Sequence, residues 1–161
     1  MDKDADATDN FIAIIAQESK TLLSIDEIRE IIGSTEDRVL DEEQIEIPIT
    51  NYFSKDVYAR EMKVKKGTVL IGKIHRFENL NILSQGEVSV FSIDGCLRVK
   101  APFTIVASAG AKRVFYAHSD CVWTTIHGTS ETDVDKIEDA FIAKDYNDQI
   151  DHKEIKSITK E

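Results

Sequence analysis

Long apolar runs are missing from this chain. None approaches the roughly 18–20 residues that a membrane-crossing helix needs, so no membrane partner is expected. Cysteine is scarce. Cys96 and Cys121 are the only two, and they make neither a disulfide framework nor a metal-binding pattern; they fit reduced thiols in a cytosolic strand protein. The glycines form no phosphate-loop motif and strands do not alternate with helices, which excludes a nucleotide-binding α/β fold. Met1 to Asn10 is acidic, the wrong sign for a secretory signal or an organelle transit peptide. No internal repeat or low-complexity block occurs.

What is present is enough for a core. Hydrophobic residues make up 42% of the 161, which suits one packed domain of about 100 residues and excludes collagen-like and wholly disordered chains. The net charge of −10 hides a partition. Residues 1–46 hold 14 acids and 4 bases, residues 51–128 hold 6 acids and 11 bases, and residues 129–161 hold 10 acids and 5 bases. A chain this acidic repels nucleic acid and anionic membranes at long range, so no nucleic-acid partner is expected. The basic middle either offers a local anion site or is neutralised by acidic arms lying against it.

Residues 1–10 show no periodic signal and are expected to be disordered. Phe11, Ile12, Ile14, Ile15, Leu22 and Leu23 suit a short amphipathic helix. Ser24 followed by Glu27 is a capping-box pattern, opening a helix over Ile25–Ile32 that Gly33 is expected to end. Residues 34–46 then read as an acidic link. Such an arm needs a surface, either its own β-core or a neighbouring subunit. From Pro48 the texture becomes β-rich. Strands are expected at Val57–Val64, Thr68–Ile74, Leu80–Leu83, Glu87–Ile93, Cys96–Lys100, Phe103–Ala107, Val114–His118 and Val122–His127. Asp94-Gly95 is a two-residue hairpin signal. Eight short strands at this spacing predict a mainly β sandwich or small barrel. Past Thr129 a helix returns, capped by Ser130 or Thr132, with a stripe of Val134, Ile137, Phe141 and Ile142. The polar stretch Asp145–Glu161, which carries a solvated His152, is expected to fray.

In an extended strand alternate residues share a face. His75, Phe77, Asn79 and Asn81 therefore point one way, and one imidazole with two carboxamides suits the wall of a polar pocket. A second group is Lys112, Arg113, Tyr116, His118, Trp123, Thr125 and His127. Trp123, Thr125 and His127 alternate onto one face, and Tyr116 shares a face with His118. The aromatics serve equally as core. Cys121, three residues after His118, has no recognisable oxyanion hole or third group for nucleophilic catalysis.

Gly72, His75, Glu78 and Gly86 resemble the first motif of the cupin superfamily, and Ala109-Gly110 resembles the second without its proline. Three stretches, Gly72–Val90, Ala101–Asp120 and Val122–Thr129, are similar to a group of small cupin-like proteins encoded by tailed bacteriophages. Residues 57–127 resemble a cupin domain, and the resemblance implies a single jelly-roll barrel, assigned here to residues 47–128. It would be flanked by an acidic helical N-terminal arm, 1–46, and a C-terminal helix with a polar tail, 129–161. It also implies the cytoplasm of an infected cell, or a virion, as the setting. The metal pattern of the family is broken. Phe77 holds the place of the second histidine, Asn79 stands where phage relatives carry histidine, and Arg113 stands about where a third ligand is expected. Phenylalanine cannot ligate, and asparagine is a weak ligand beside imidazole.

Three functions compete. The favoured one is non-catalytic binding of a small, anionic molecule in the barrel by His75, Asn79, Asn81, Arg113, Tyr116 and His127. The second is a metal-dependent cupin enzyme of oxygenase or isomerase type, with His75, Glu78, His118 and His127 as candidate ligands to a divalent transition metal; a metal-free pocket is preferred. The third is a virion-associated or assembly protein. A homodimer or higher homo-oligomer is expected, because exposed sheet edges must be covered.

Overall fold

The computed structural model describes residues 23–148 and 150. The readings for residues 1–22, for the tail from 151 and for His152 lie outside the described residues. The first described helix, α1, spans Ile25–Leu40. Its start follows the capping box: Ser24 Oγ accepts from the Glu27 amide at 3.3 Å, and the Ser24 amide donates to Glu27 Oε2 at 2.7 Å. These bonds hold the Glu27 carboxyl below its ordinary value. Ser24→Ala removes the cap and is expected to cost about 1 kcal/mol, seen as faster amide exchange in the first turn of α1 with the β-core unchanged.

The expected stop at Gly33 is corrected, since the helix runs seven residues further. A mid-helix glycine costs about 1 kcal/mol. Tertiary contacts outweigh it: Thr35 beyond the glycine is buried, its hydroxyl satisfied within the helix by the Ile31 carbonyl at 2.7 Å. Glu36 pairs with Lys112.

Strands follow as β1 (Ile49–Ser54), β2 (Val57–Val64), β3 (Val69–Ile71), β4 (Ile74–His75), β5 (Asn79–Gln85), β6 (Glu87–Ser92), β7 (Gly95–Lys100), β8 (Phe103–Ala107), β9 (Val114–Ala117) and β10 (Cys121–Gly128). Helix α2 (Val134–Phe141) and the two-residue β11 (Ile142–Ala143) complete the described chain. The sheets are antiparallel, in the orders β1-β2-β10-β5-β8, β3-β9-β6-β7 and β11-β4. The chain is therefore mainly β with a helix at either end. The strands expected to form one jelly-roll barrel are arranged as two larger sheets and a small third one in which β4 pairs with β11, and the barrel is not closed.

The core follows strand alternation. Val64, Leu83, Val88, Val90, Phe115 and Trp123 pack together. On the other face of the four-stranded sheet, Ile28 and Ile32 of α1 lie on Phe91 and Val114. Neighbours such as Val114 and Phe115 thus serve opposite layers. Gly86, at φ +91°, joins β5 to β6 where a Cβ would collide with the Asp120 carbonyl and lie 2.6 Å from Cys121 Sγ.

Three local readings need correction. The β6–β7 hairpin pairs Ser92 with Gly95, so Ile93 and Asp94 form its apex. Only Gly95 has positive φ there, and Asp94 instead accepts from the amide and hydroxyl of Ser108. The cap of α2 is Asp133, which accepts from the amides of Asp135 and Lys136; it stands adjacent to the helix, closer than Ser130 or Thr132. Finally, residues 145–148 do not fray. Asp148 takes a two-pronged ion pair from Arg76, at 2.9 and 2.8 Å. Together with Lys112–Glu36 and Lys73–Glu138, it ties the acidic flanks to the basic middle. Among the described residues no helix is long and apolar enough to cross a membrane.

Candidate functional site

A cavity of about 270 Å³ lies between the two larger sheets and is bordered by α2. Each wall comes from strand alternation. β2 contributes Tyr58, Arg60 and Met62; β10 contributes Trp123, Thr125 and His127; β9 contributes Phe115, with Arg113 just before it; β4 contributes His75. Ile137, Glu138 and Phe141 of α2 complete the lining.

The rings form a column. Phe53 stacks on Tyr58 at 5.3 Å, Tyr58 on His127 at 6.4 Å, and His127 on His75 at 5.2 Å between centroids. Burial drives both imidazoles toward their neutral forms. His75 is pushed down to about 3 by burial first and by His127 and Arg113 next. His127 is pushed down to about 4 by burial. The Nδ1 atoms of both are buried without a hydrogen-bond partner among the described residues. At neutral pH this wall is uncharged and offers two ring nitrogens for a bond not yet made.

The charge in the cavity is cationic. Lys73 and Glu138, both in the lining, pair with each other, which leaves Arg60 and Arg113. Arg113 is part-buried, and burial lowers its pKa against the opposing pull of Asp94; a guanidinium nevertheless stays protonated. Among the described residues no carboxylate comes within ion-pair distance of Arg113.

The sequence-selected residues divide. His75, Arg113 and His127 meet in the cavity. Asn79 and Asn81 stand behind its wall. Asn81 Oδ1 accepts from Trp123 Nε1 at 3.1 Å and Thr125 Oγ1 at 2.8 Å, while its Nδ2 donates to Asn79 Oδ1 at 2.8 Å. Tyr116 lies on the face of β9 opposite Phe115, edge-on to His118 at 4.8 Å, and does not line the cavity. The expected shared face of His75 and Phe77 is also corrected. Arg76 binds Phe141 O through its amide and Ile142 O through Nε, which takes the chain out of strand geometry between β4 and β5. Phe77 is left exposed against Phe141.

The four candidate metal ligands do not converge. Glu78 is exposed, and His118 Nε2 is 2.7 Å from Ser89 Oγ on the outer side of β9. Among the described residues no three His, Cys, Asp or Glu side chains form a metal-sized group. The donor set therefore does not fit the three-histidine, one-carboxylate centre of metal cupins. Burial raises the pKa of the Cys121 thiol, the opposite of nucleophile activation. The residues missed from sequence are Tyr58, Arg60, Phe115 and the α2 side chains. The alternation Tyr58, Arg60, Met62, Val64 was a usable signal in β2; nothing local marks α2 as a cavity wall.

No family model matches the chain, and no curated protein matches it. Among solved structures it is similar to KdgF from Halomonas sp., at 17% identity over 59% of this chain and 90% of that one, with a TM-score of 0.47. It is similar to a cupin superfamily protein from Desulfitobacterium hafniense at 11% identity, covering 55% of this chain and 82% of that one, TM-score 0.47. A conserved Klebsiella pneumoniae protein with a double-stranded β-helix domain is similar at 11% identity, over 57% and 84%, TM-score 0.47. These likenesses concern strand arrangement and carry no ligand or reaction.

Proposed function

We propose that this chain is a cupin-type binding protein that holds a small organic anion in the cavity between its sheets without transforming it. The observation that carries the reading is Arg113. A part-buried guanidinium facing a cavity, with Asp94 acting on it only from beyond ion-pair distance and no carboxylate paired to it among the described residues, lacks the close partner that a withdrawn charge requires. A carboxylate or phosphate ligand supplies it through paired charge-assisted hydrogen bonds. The rest of the lining selects further. Met62, Leu70, Phe115, Trp123 and Ile137 are apolar, so an anion with an apolar body fits better than a bare inorganic one. The two imidazoles, held neutral, are hydrogen-bonding partners for it. The phage setting expected from the sequence belongs to the same proposal, with the ligand a small anion of the infected cell.

The chain has one tryptophan, and it lines the cavity, so its fluorescence reports occupancy. Titration with benzoate is expected to saturate, with inorganic phosphate binding more weakly. Arg113→Gln is expected to raise the benzoate Kd about 10–100-fold, the worth of a charge-assisted pair, with the unfolding midpoint preserved or raised. Absence of saturation by either anion, or an Arg113→Gln variant that binds benzoate as the parent does, contradicts the proposal.

A further inference from the structure

The outer face of the five-stranded sheet carries an unbroken apolar row. The strand registers place Tyr52 opposite Ala59, Ala59 opposite Ile126, Ile126 opposite Leu80 and Leu80 opposite Val106. Directly paired residues share a face, so these five side chains cross all five strands in one line. Tyr52, Leu80 and Val106 are exposed at 51%, 37% and 54%. The other sheet has its outer face under α1; this one is bare among the described residues.

Charge points to what covers it. Charged residues are 31% of the chain and its net charge is −10. Among the outward positions of the five strands only Glu61 and Lys63 are charged, one of each sign. Two copies that repel elsewhere meet here with only one charge of each sign apiece, so this face adds little like-charge repulsion. The area is sufficient. Five strands at about 4.8 Å spacing and some six residues at about 3.4 Å give roughly 500 Å² per copy. That is about 1,000 Å² in total, the lower bound for a specific interface. The apolar N-terminal stretch before Leu23 is the less suitable occupant. The described residue that adjoins it, Leu23, packs in the α1 cluster on the far sheet and not on this face.

We infer that this face is the contact surface for a second copy of the same chain, packed sheet against sheet about a two-fold axis. The inference is independent of the ligand proposal, since the row lies outside the cavity. The test is sedimentation equilibrium of the full chain from about 1 to 100 μM, a span that detects standard interfaces. A dimer is expected whose affinity does not fall as salt rises, because screening weakens only the repulsion. Ile126→Glu is expected to weaken it roughly 100-fold, by burying unpaired carboxylates. Val106→Glu and Tyr52→Glu sit on edge strands at half-exposed positions, so they leave the fold intact and are expected to dissociate the dimer as well. Ile14→Asp is expected to leave it unchanged. A monomer throughout the range overturns the inference. So does a dimer indifferent to the sheet-face substitutions, one broken by Ile14→Asp, or one dissolved by salt.

Discussion

Asn81→Leu is expected to lower the unfolding free energy by about 3 kcal/mol, a large share of the 5–15 kcal/mol typical of a domain. Asn81 is fully buried, and its amide is the hub of a network. It accepts from the Trp123 indole and the Thr125 hydroxyl and donates to Asn79 Oδ1. Leucine fills a similar space but leaves the indole N–H and the Asn79 carbonyl oxygen without partners. Each orphan costs about 1–3 kcal/mol. The Thr125 hydroxyl escapes, because it borders the cavity, and extra apolar burial returns about 1 kcal/mol. Urea unfolding followed by Trp123 fluorescence measures the difference. A loss under about 1 kcal/mol would mean that the network is not what orders this wall. Since Trp123 and Thr125 both face the cavity, the same variant is also expected to bind benzoate more weakly, through displaced walls rather than a lost ligand contact.

Acidification gives the other large effect. His75 and His127 have folded pKa values of about 3 and about 4 against an ordinary 6.5. Between those limits the unfolded chain binds more protons than the folded one, so stability rises with pH across the window. The contribution is complete above the ordinary value and is lost as pH falls through 6.5 toward 4 and 3. From pH 7 to pH 5 the pair is expected to lose roughly 2–4 kcal/mol. The carboxylates held low, Glu27, Glu87, Asp120 and Glu131, lose their contributions only at lower pH. The interval between 7 and 5 therefore lies above the range where these carboxylates lose their contributions, and the double variant assigns the slope to His75 and His127. Urea midpoints at the two pH values measure the slope, and replacing both histidines by glutamine is expected to flatten it. A parent protein equally stable at pH 7 and pH 5 would show that the stacked pair takes up its protons without strain.

The amino-acid order determined what neighbouring residues decide among themselves. Alternation in Val57–Val64 and Phe103–Ala107 gives strands with those same limits. The Ser24–Glu27 box opens a helix at Ile25, and the charge partition anticipates contacts between flanks and centre. Tertiary structure decided the rest. Gly33 looks like a stop because local propensity penalises it, yet beyond it Thr35 is buried and Glu36 pairs with the distant Lys112. Ile142 continues the apolar stripe of α2 but pairs with His75 as a strand. Parity places His75, Phe77, Asn79 and Asn81 on one face, and the bonds from Arg76 to residues 141, 142 and 148 undo that reading. Tyr116 and Phe115 are equally aromatic, and only the layer packed against each side of β9 sends one to the cavity and the other outward. Periods and caps act over a few residues, whereas a cavity is made by elements distant in the chain, so its lining depends on which faces the assembled layers leave opposite one another.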